Sequence, residues 1–436
     1  MTQSEKQPLF TIIIPTKDRA DYLHHSLRTC LEQDYDNLEI IVSDDGSCDN
    51  TREVTESAAR IDSRVKYVSP GSSVGMRDNF EFALQKVRPG FVMALGGDDG
   101  LLPNGIRGML AVLEETGQDL LAWPAPMYAY AGARTTTSQL VLHRNVGDSK
   151  IVSSSTFLER QTRNLHYLSD IQSPMFYVKG ISSTRLIERV RARSSNRRFY
   201  ACATPDGYSG IVLAGEVATF AFSQTPFSIF GTSPTSQGLG YLGNDQEAKI
   251  RSESFFQQVS NRPMHHQLAS QPYSPLITLM TADYLLSAQD LPGWAGRFPP
   301  INYRNLLVKA LGELAHGLYA EARIVRELRI LDHIAELHGL KEFFRRQVAS
   351  TRRYMKKCPF EGNGISPTLL FIDGTKFGVN NIFDAAYAAH FYHNFSTKVS
   401  APLIIEALAN SLTYRLQSVR KGEPFPSDVE WQSDSR

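Results

Sequence analysis

The sequence predicts an α/β fold with a mostly parallel sheet, and two features of the chain carry that prediction. Short β-branched apolar runs alternate with amphipathic stretches through the first third of the chain, which is the pattern of βα units. The run at 91–95 leads straight into two adjacent aspartates, and ligands of open α/β sheets bind where strands end in this way. With 436 residues, the chain is also long enough for at least two folded units.

The predicted elements follow from these patterns. Strands are expected at 9–15, 38–43, 65–69, 91–95 and 120–123. Helices are expected between them at 19–33, 50–60, 76–88 and 103–116, with Asp18 and Asp49 as caps of the first two. After Pro124 the sequence predicts a hairpin of 127–130 and 139–143, strands within 174–179 and 218–230, and a helix at 206–214.

The chain changes character after residue 250. Apolar residues recur at three- and four-residue spacing in 306–318 and 321–337, which predicts helices. The stretch 231–245 is rich in Gly and Ser and is expected to be a mobile loop. We therefore expect a first domain over 1–245 with halves of 9–125 and 126–245, an α-helical C-terminal domain over 246–420, and a disordered tail over 421–436.

Composition excludes several classes of protein. The 46 Lys and Arg residues nearly balance the 45 Asp and Glu residues, so no electrostatic argument favours a dedicated nucleic-acid binder. Cys30, Cys48, Cys202 and Cys358 lack the paired short spacing of zinc sites and disulfide frameworks, which favours a reducing, cytoplasmic setting. The polar N-terminus and the absence of any 18-residue apolar run predict neither a signal peptide nor a membrane span.

The pair Asp98–Asp99 is the most informative feature. Two neighbouring carboxylates at a strand end repel each other unless a cation lies between them, so they predict a site for Mg²⁺ or Mn²⁺ facing a phosphorylated substrate. The alternative is a solvated turn, since Asp-Asp-Gly is common in loops. The apolar strand directly before the pair favours the metal site.

Four motifs in order resemble glycosyltransferase family 2. They are PTKDR at 15–19, DDGSCDNT at 44–51, GDD at 97–99, and Pro103 four residues after Asp99. The resemblance is good over 9–125 and loose over 126–240. It implies a GT-A fold, with a Rossmann-like, mostly parallel sheet flanked by helices, and an inverting, nucleotide-sugar-dependent enzyme. The first half of the catalytic domain would then bind the nucleotide sugar and the second half the acceptor.

The resemblance also implies roles for individual residues. Asp45 would read the nucleobase and Asp44 would support its loop, although a plain turn and helix cap is the alternative for both. Asp99 would be the first metal ligand, together with Asp98. The positions expected to bind the nucleotide sugar are Pro15, Thr16, Arg19, Asp44, Asp45, Arg77 and Asp98. Arg77 could equally be a surface arginine at a helix start.

Two departures from the family pattern stand out. Gly96 replaces an aspartate that many members carry, which predicts a metal shell with few protein ligands. The segment 225–238 resembles the family's closing segment but has Ser233, Thr235 and Ser236 where many members have His or Arg. Their hydroxyls could still contact phosphate. The pair His265–His266 is expected at the surface, with a metal role as the alternative.

An inverting transfer needs a general base for the acceptor hydroxyl. Asp206, after Pro205 at a predicted helix start, matches the family's position for that base, and Asp170 is the reserve candidate. A helix N-terminus would lower the pKa of Asp206 and keep it ionised. The alternative for Asp206 is a plain N-cap.

The basic stretch 341–357 admits two interpretations. A solvated helix face with its apolar side turned inward is favoured, and contact with anionic lipid is the alternative. The helical C-terminal domain could serve acceptor binding, assembly into a homo-oligomer, or peripheral docking on the inner face of the membrane. The sequence does not choose among these.

Together these features predict a metal-dependent, inverting hexosyl or N-acetylhexosaminyl transferase. It would move a sugar from a UDP-linked donor to a hydroxyl of a glycan or lipid-linked glycan, in the synthesis of a cell-surface polysaccharide. One rival is a sugar-1-phosphate nucleotidyltransferase, but residues 15–19 lack the glycine-rich loop that it needs. The other is a catalytically retired scaffold that binds a glycan or a nucleotide.

Overall fold

The computed structural model describes residues 7–144, 147–240, 246–259, 262–294, 297–316, 319–353, 360–395, 401–417 and 423–426. Its strands are, in chain order, β1 (Phe10–Thr16), β2 (Leu38–Asp44), β3 (Val65–Val68), β4 (Phe91–Ala94), β5 (Gly100–Leu101), β6 (Leu120–Ala122), β7 (Met127–Ala129), β8 (Gln139–His143), β9 (Lys150–Ser153), β10 (Gly180–Ser183), β11 (Thr219–Phe222), β12 (Ser228–Thr232), β13 (Arg352–Arg353), β14 (Gly364–Ile365), β15 (Leu369–Asp373) and β16 (Glu423–Pro424).

The helices lie between these strands and dominate the chain after residue 240. They are α1 (Ala20–Leu31), α2 (Thr51–Ile61), α3 (Met76–Leu84), α4 (Gly105–Thr116), α5 (Ser154–Asn164), α6 (Thr184–Arg193), α7 (Pro205–Glu216), α8 (Gln237–Gly240), α9 (Gln246–Gln258), α10 (Ile277–Gln289), α11 (Tyr303–Ala315), α12 (Glu321–Leu337), α13 (Lys341–Ser350), α14 (Ile382–Phe395) and α15 (Ala401–Gln417). Two 3₁₀ turns, His266–Leu268 and Thr375–Phe377, complete the set.

The main sheet has eight strands in the order β3-β2-β1-β4-β10-β6-β11-β9. Strands β3, β2, β1 and β4 are mutually parallel, as are β6 and β11, whereas β10 and β9 run antiparallel to their neighbours. The predicted mostly parallel sheet is confirmed. Helices cover both faces, as a parallel sheet requires when both of its faces are apolar.

Successive residues of β1 face opposite sides of this sheet. Ile12 and Ile14 belong to a buried cluster with residues of α1 and α4, whereas Ile13 belongs to a second cluster with residues of α3, α6 and α7. Alternation on a strand buried on both faces explains why the sequence reads there as a continuous apolar run. The carboxyl ends of the strands are thereby fixed between two helical layers.

The second sheet joins distant parts of the chain. Its order is β14-β15-β8-β7-β12-β5, so the predicted hairpin of β7 and β8 is extended by strands that come after residue 360. The region predicted to be an α-helical C-terminal domain is mainly helical, but it also contributes β14 and β15. β15 pairs antiparallel with β8 and so covers a strand edge that the hairpin would otherwise leave open.

The helices after residue 260 share a core with the first part of the chain. One buried cluster runs from Ile13 through Tyr208 to Tyr284 and Leu331. The division at residue 245 therefore stays a prediction about boundaries, since no gap in the core marks it. The predicted tail over 421–436 lies outside the described residues except for 423–426, which include β16.

Two local predictions are wrong. Residues 174–179 form turns instead of a strand, because Val178 adopts φ +60° and the amides of Tyr177 and Lys179 bond carbonyls two residues back. The apolar side chains there, Met175 and Phe176, fill the core instead. The predicted loop at 231–245 starts only after β12 and continues into α8, while 241–245 lie outside the described residues.

The basic stretch at 341–357 is largely satisfied by internal contacts where it is described. Arg345 pairs with Asp332 at 3.1 Å, Lys341 pairs with Glu336 at 3.1 Å, and Phe344 is buried. These contacts favour the solvated helix face over a lipid-binding surface. Residues 354–357 lie outside the described residues. Nowhere in the described part of the chain does a helix have the length and apolarity to cross a membrane.

Gly231 of β12 lies against the loop after β4, and we expect Gly231→Ala to destabilise the protein. A Cβ atom there would lie 1.7 Å from the carbonyl oxygen of Asp98, so one of the two backbone segments must move. Overpacking of this kind costs about 1–3 kcal/mol or more. Thermal unfolding measures the loss, and Gly238→Ala is the matched control because a Cβ there meets no described atom within 4 Å. Equal melting temperatures for the two variants would contradict the prediction.

Asp283 of α10 should make stability depend on pH. Burial raises its pKa to about 6, although the backbone amide of His265 and the thiol of Cys202 donate to it. A raised folded-state pKa contributes stability that is present below about pH 4 and lost as the pH rises through about 6. Relative to wild type, Asp283→Asn should therefore gain stability between those pH values, on the order of 2–3 kcal/mol.

Chemical denaturation at a series of pH values measures this gain. Asp62→Asn is the control of opposite sign, because the hydrogen bonds from Arg64 lower the pKa of Asp62. That variant should lose stability relative to wild type as the pH rises through the titration of Asp62. A pH-independent difference between Asp283→Asn and wild type would refute the assignment.

Candidate active site

The carboxyl ends of β1, β2 and β4 meet at one edge of the main sheet. Thr16 at the end of β1 pairs with Asp44 at the end of β2, and the carbonyl of Thr16 accepts the amide of Asp45 at 3.0 Å. The amide of Leu95, just after β4, bonds the carbonyl of Ile13 at 2.9 Å. This register brings three of the four sequence motifs together. Pro15 and Thr16 are themselves buried and shape the edge from below.

Two loops at this edge cap each other. The Asp49 carboxylate accepts the amide of Ala20 at the start of α1 at 2.9 Å, and the Asp18 carboxylate accepts the amide of Cys48 at 2.7 Å. The predicted cap of α1 by Asp18 is therefore wrong. Asp18 adopts φ +50°, which turns its side chain toward the other loop. Asp49 also accepts the amide of Thr51 at 3.0 Å, at the start of α2.

Asp44 and Asp45 are both buried and have different partners. Asp44 accepts the amide of Ser47 at 2.9 Å and the hydroxyl of Tyr67 at 2.9 Å, so it holds the turn. Asp45 accepts the amides of Val74 at 2.6 Å and Gly75 at 3.1 Å, and its Oδ2 also accepts the Ser73 hydroxyl. A carboxylate has about four acceptor positions. Asp45 therefore fixes the loop before α3 and keeps little capacity for a ligand.

Asp98 faces Arg19 and the segment after β12. Its Oδ2 accepts Arg19 Nη1 at 3.1 Å, the Ser233 hydroxyl at 2.6 Å and the Ser236 hydroxyl at 2.9 Å. Arg19 also donates to the Ser233 hydroxyl at 2.6 Å and to the carbonyl of Thr235 at 2.7 Å. One arginine thus joins the tip of β1, the tip of β4 and the predicted closing segment. From the described residues no hydrogen bond reaches Asp98 Oδ1.

Asp99 points into the protein. It is fully buried, and its carboxylate accepts the amide of Gly96 at 2.6 Å and the amide of Gly231 at 2.8 Å. The hydroxyl of Tyr177 donates to it as well. Burial and the nearby charge of Asp98 raise the pKa of Asp99 to about 7. This geometry does not suit the direct metal ligand that the sequence favoured, because both oxygens of Asp99 already accept internal donors.

Tyr177 takes the space that Gly96 leaves open. A Cβ atom on residue 96 would lie 2.5 Å from the Tyr177 hydroxyl and 2.8 Å from Asp99 Oδ2. An aspartate at this position, as in many family members, would therefore collide with both. The glycine at position 96 and the buried orientation of Asp99 therefore belong together, because the Tyr177 hydroxyl occupies the space that a side chain at residue 96 would need.

The residues at this edge fit a divalent cation with few protein ligands. Asp98 Oδ1 accepts no hydrogen bond from the described residues. The hydroxyls of Ser233 and Ser236 both donate to the other oxygen of this carboxylate, Oδ2. Mg²⁺ and similar cations are commonly held by one or two carboxylates, substrate phosphates and water. A single carboxylate oxygen meets the low end of that requirement.

Arg77 does not extend freely toward the edge. Its guanidinium donates to Asp78 at 2.8 and 2.9 Å and to the carbonyl of Ala201 at 3.4 Å. The sequence predicts Arg77 as a contact to the nucleotide sugar or as a surface arginine. Neither interpretation foresaw its bonds to Asp78 and to the carbonyl of Ala201. Arg77 lies in the first turn of α3, directly after the loop that Asp45 holds.

Asp206 lies in the first turn of α7 between two tyrosines. Tyr167 donates to its Oδ2 at 2.8 Å, and Tyr284 of α10 lies 3.4 Å from its Oδ1. Burial raises the pKa of Asp206 despite these hydrogen bonds. The expectation that the helix N-terminus would lower this pKa is wrong, because desolvation outweighs the field of the helix. As an N-cap it would have to lie two positions earlier, where Thr204 is found.

Asp206 and the paired aspartates share surroundings. The charges of Asp99, Asp98 and Asp206 all act on the buried Tyr177 hydroxyl and help to raise its pKa, after burial itself. The structure therefore brings the candidate base and the candidate phosphate site into one region. The reserve candidate, Asp170, is instead bound to Arg160 at 3.0 Å and to the amide of Gln161's side chain at 3.1 Å. Its carboxylate orders its own loop.

The two adjacent histidines lie elsewhere, before α10. His265 Nδ1 accepts the amide of Gln267, and its Nε2 lies 2.8 Å from Asp290. Ligand atoms of His265, His266 and Asp290 lie within 4.8 Å of one another, which is compatible with a metal ion. The capping role of His265 accounts for its position without one.

Several residues of the site were missed by the sequence analysis. Tyr167, Tyr177 and Tyr284 hold the carboxylates of Asp99 and Asp206, and the amide of Gly231 holds Asp99 from another sheet. No local pattern could have found them, since in the sequence each of these tyrosines looks like any core aromatic. Only the packing of distant segments gives them partners.

Comparison with known proteins agrees with the sequence motifs. Residues 11–178 match the family model described as Glycosyl transferase family 2, so the resemblance seen in the sequence is confirmed. The GalNAc(5)-diNAcBac-PP-undecaprenol beta-1,3-glucosyltransferase of Campylobacter jejuni is 32% identical over 109 residues, which cover 25% of this chain and 35% of that protein. The present chain thus aligns with about a third of that relative.

Two further similarities cover more of the chain. An uncharacterized glycosyltransferase of Haemophilus influenzae is 29% identical over 255 residues, which cover 57% of this chain and 74% of that protein. A crystal structure of S. aureus TarS 1-349 in complex with UDP superposes with a TM-score of 0.39 and 15% identity, over 78% of this chain and 89% of that one.

Proposed function

Residues 11–178 of the chain belong to glycosyltransferase family 2, and on this premise we propose that the protein transfers a sugar from a nucleotide donor, UDP-linked, to a hydroxyl of an acceptor with inversion at the anomeric carbon. The observation that carries the proposal is the position of Asp98. It lies just after β4, bound by Arg19 from the loop after β1 and by Ser233 from the segment after β12, while Asp99 is buried behind it.

The donor would lie across the ends of β1, β2 and β4. The nucleoside would pack over the loop that Asp45 holds, and the diphosphate would extend toward Arg19 and the Ser233–Ser236 turn. A guanidinium is a planar multi-donor that suits phosphate oxygens, and hydroxyls can donate to them as well. Arg19 now bonds Asp98, so a bound diphosphate would compete with this carboxylate for its donors.

A divalent ion, Mn²⁺ or Mg²⁺, would be held by Asp98 together with the diphosphate, and it would neutralise charge on the leaving group. The fit rests on the unused Asp98 Oδ1 described above. Asp98, rather than Asp99, is the proposed ligand. Asp99 would act as a positioning residue, since it anchors the loop from below.

Asp206 would be the general base. It would accept the proton of the acceptor hydroxyl as that oxygen bonds the anomeric carbon, while the bond from this carbon to the phosphate oxygen breaks and its electron pair leaves with UDP. Tyr167 and Tyr284 would hold the carboxylate in place. A raised pKa makes a carboxylate a stronger base, provided that the pH lies above that pKa.

The acceptor is proposed to be a glycan or a lipid-linked glycan of a surface polysaccharide. The transferred sugar is proposed to be a hexose or an N-acetylhexosamine. The name of the Campylobacter relative supports a lipid-linked acceptor, and that similarity covers only a quarter of this chain. The retired scaffold remains the rival, because Arg19 and the serines already satisfy Asp98 Oδ2. Turnover decides between the two. Self-association and a cytoplasmic location stay predictions, and lipid contact at 341–357 stays the less favoured alternative.

Asp98→Asn should lose metal-assisted nucleotide binding. We expect UDP to bind wild type more tightly with Mn²⁺ than with a chelator, and Asp98→Asn to weaken the Mn²⁺-dependent binding by at least about tenfold, or about 1.4 kcal/mol. Calorimetric titration with UDP measures both. Asp99→Asn is the matched comparison: it should lower the melting temperature while keeping the metal effect. Selective loss of that effect in a folded Asp99→Asn variant would reverse the assignment.

Asp206→Asn should slow sugar transfer without weakening the binding of the nucleotide-sugar donor. Loss of a positioned base costs about 10²–10⁴-fold in kcat. Because burial raises the pKa of Asp206, the wild-type rate should also fall on the acid side at a higher pH than an ordinary aspartate would give, and Asp206→Asn should lose this limb. Steady-state release of UDP over a pH series measures both effects. Asp170→Asn is the comparison, and a larger loss there would move the role of base to Asp170.

A further inference from the structure

Three arginines from three separate segments surround one aspartate beside the proposed site. Arg77 Nη2 donates to Asp78 Oδ1 at 2.8 Å, Arg262 Nη2 donates to Asp78 Oδ2 at 2.7 Å, and Arg198 Nη2 also donates to Oδ1. We call these four residues the arginine cluster. Three guanidinium charges face one carboxylate, so the cluster carries an excess of two positive charges.

The next acid along α3 does not compensate this excess. Glu81 accepts Arg191 Nη2 at 3.1 Å and the amides of Phe199 and Tyr200 at 2.9 and 3.0 Å. It is 2% exposed. The Glu81 carboxylate is therefore already paired with Arg191 and with the backbone of the segment that leads from Arg198 toward Asp206.

The arginine cluster is too enclosed for water to screen it fully. The exposed fractions of the Arg77, Arg198 and Arg262 side chains are 15%, 30% and 35%. Arg198 Nε is buried and finds no acceptor among the described residues. Burial lowers the pKa of Arg77, and repulsion from Arg262 and Arg198 adds to the effect. The three guanidinium groups are thus short of negative partners while still reachable from solvent.

The cluster lies between the proposed nucleoside loop and the proposed base. Arg77 follows Gly75 by two residues, and the amide of Gly75 donates to Asp45 at 3.1 Å. On the other side Arg77 Nη1 donates to the carbonyl of Ala201, in the segment that runs into α7 and Asp206. The donor diphosphate would lie elsewhere, at Arg19 and Asp98. An anion in the cluster would therefore belong to the acceptor.

We propose that the arginine cluster binds a phosphate group of the acceptor, near the hydroxyl that receives the sugar. Guanidinium groups bind phosphate oxygens in a bidentate manner, and several together favour a doubly charged anion. The binding of phosphate is a property of the cluster alone, whereas its assignment to the acceptor rests on the function proposed above. A terminal phosphate and a bridging phosphodiester share this chemistry.

Binding of inorganic phosphate to the whole protein tests the proposal. The titration is followed by ³¹P NMR line width, without nucleotide and with a chelator, so that its result does not depend on donor or metal binding. Wild type should bind phosphate saturably. Arg198→Gln and Arg262→Gln should each weaken binding, and the double variant should weaken it by more than about tenfold. Asp78→Asn should act in the opposite direction and tighten binding, because it removes the competing carboxylate.

Arg185→Gln is the matched control. Arg185 is an exposed arginine that pairs with Asp119 at 2.8 Å, and its replacement should leave phosphate binding unchanged. Melting temperatures establish that each variant is folded. If Arg198→Gln does not fold, Arg198→Lys takes its place and should keep part of the wild-type affinity for phosphate. Absence of saturable binding to wild type, or unchanged binding in the folded double variant, would overturn the proposal.

Two further titrations separate the sources of the phosphate and the role of the site. Dimethyl phosphate should bind much more weakly than inorganic phosphate if the site takes a terminal phosphate, and equally well if it takes a bridging diester. Saturating UDP with Mn²⁺ should leave phosphate bound, and displacement would overturn the assignment to the acceptor. If UDP fails to bind at all, the proposed function fails, while the phosphate titrations still decide whether the cluster binds an anion.

Discussion

The opposite orientations of Asp98 and Asp99 at the end of β4 control the geometry of the site. Asp99 is buried and accepts the amides of Gly96 and Gly231, which ties the tip of the main sheet to β12 of the second sheet. Asp98, which is also buried, faces Arg19 and the Ser233 turn instead. Asp99 thus anchors the loop that presents Asp98 to these groups.

The acids of this region are stabilised by different means, which gives them different chemistry. Backbone amides hold Asp45, and an arginine and hydroxyl groups hold Asp98. Burial opposes the ionisation of a carboxylate. Asp206 and Asp99 are governed by burial, which raises their pKa. Asp78 is the reverse case, with more cationic partners than its own charge can balance.

The helical part of the chain also contributes to the site. Tyr284 of α10 reaches Asp206, and α10 packs on α7 within the same buried cluster that contains Ile13 of β1. Arg262, which comes before α10, reaches Asp78 at the start of α3. A fragment that ended at residue 245 would lack both partners. The helical region is therefore part of the environment of the proposed base, whatever else it does.

The sequence alone predicted the main sheet and the strand tips that form its edge. Apolar periodicity is a local property, and for that reason β1, β2, β4 and the helices between them could be placed within a few residues. The motifs also identified Asp45, Asp98 and Asp206 as side chains of interest. The strand expected at 174–179 was wrong, because apolar residues that fill a core in turns look the same in sequence as residues of a buried strand.

What only the tertiary structure decided is the partner of each charged side chain. Gly231 and Tyr177 supply donors to Asp99 and leave Asp98 to face Arg19, and the pKa of Asp206 depends on how far the folded protein buries it. Two of the three arginines around Asp78, Arg198 and Arg262, come from segments more than a hundred residues away from it in the chain. Residue types and their spacing fix which groups can ionise. Desolvation and pairing depend on distances in space, and these exist only once the chain is folded.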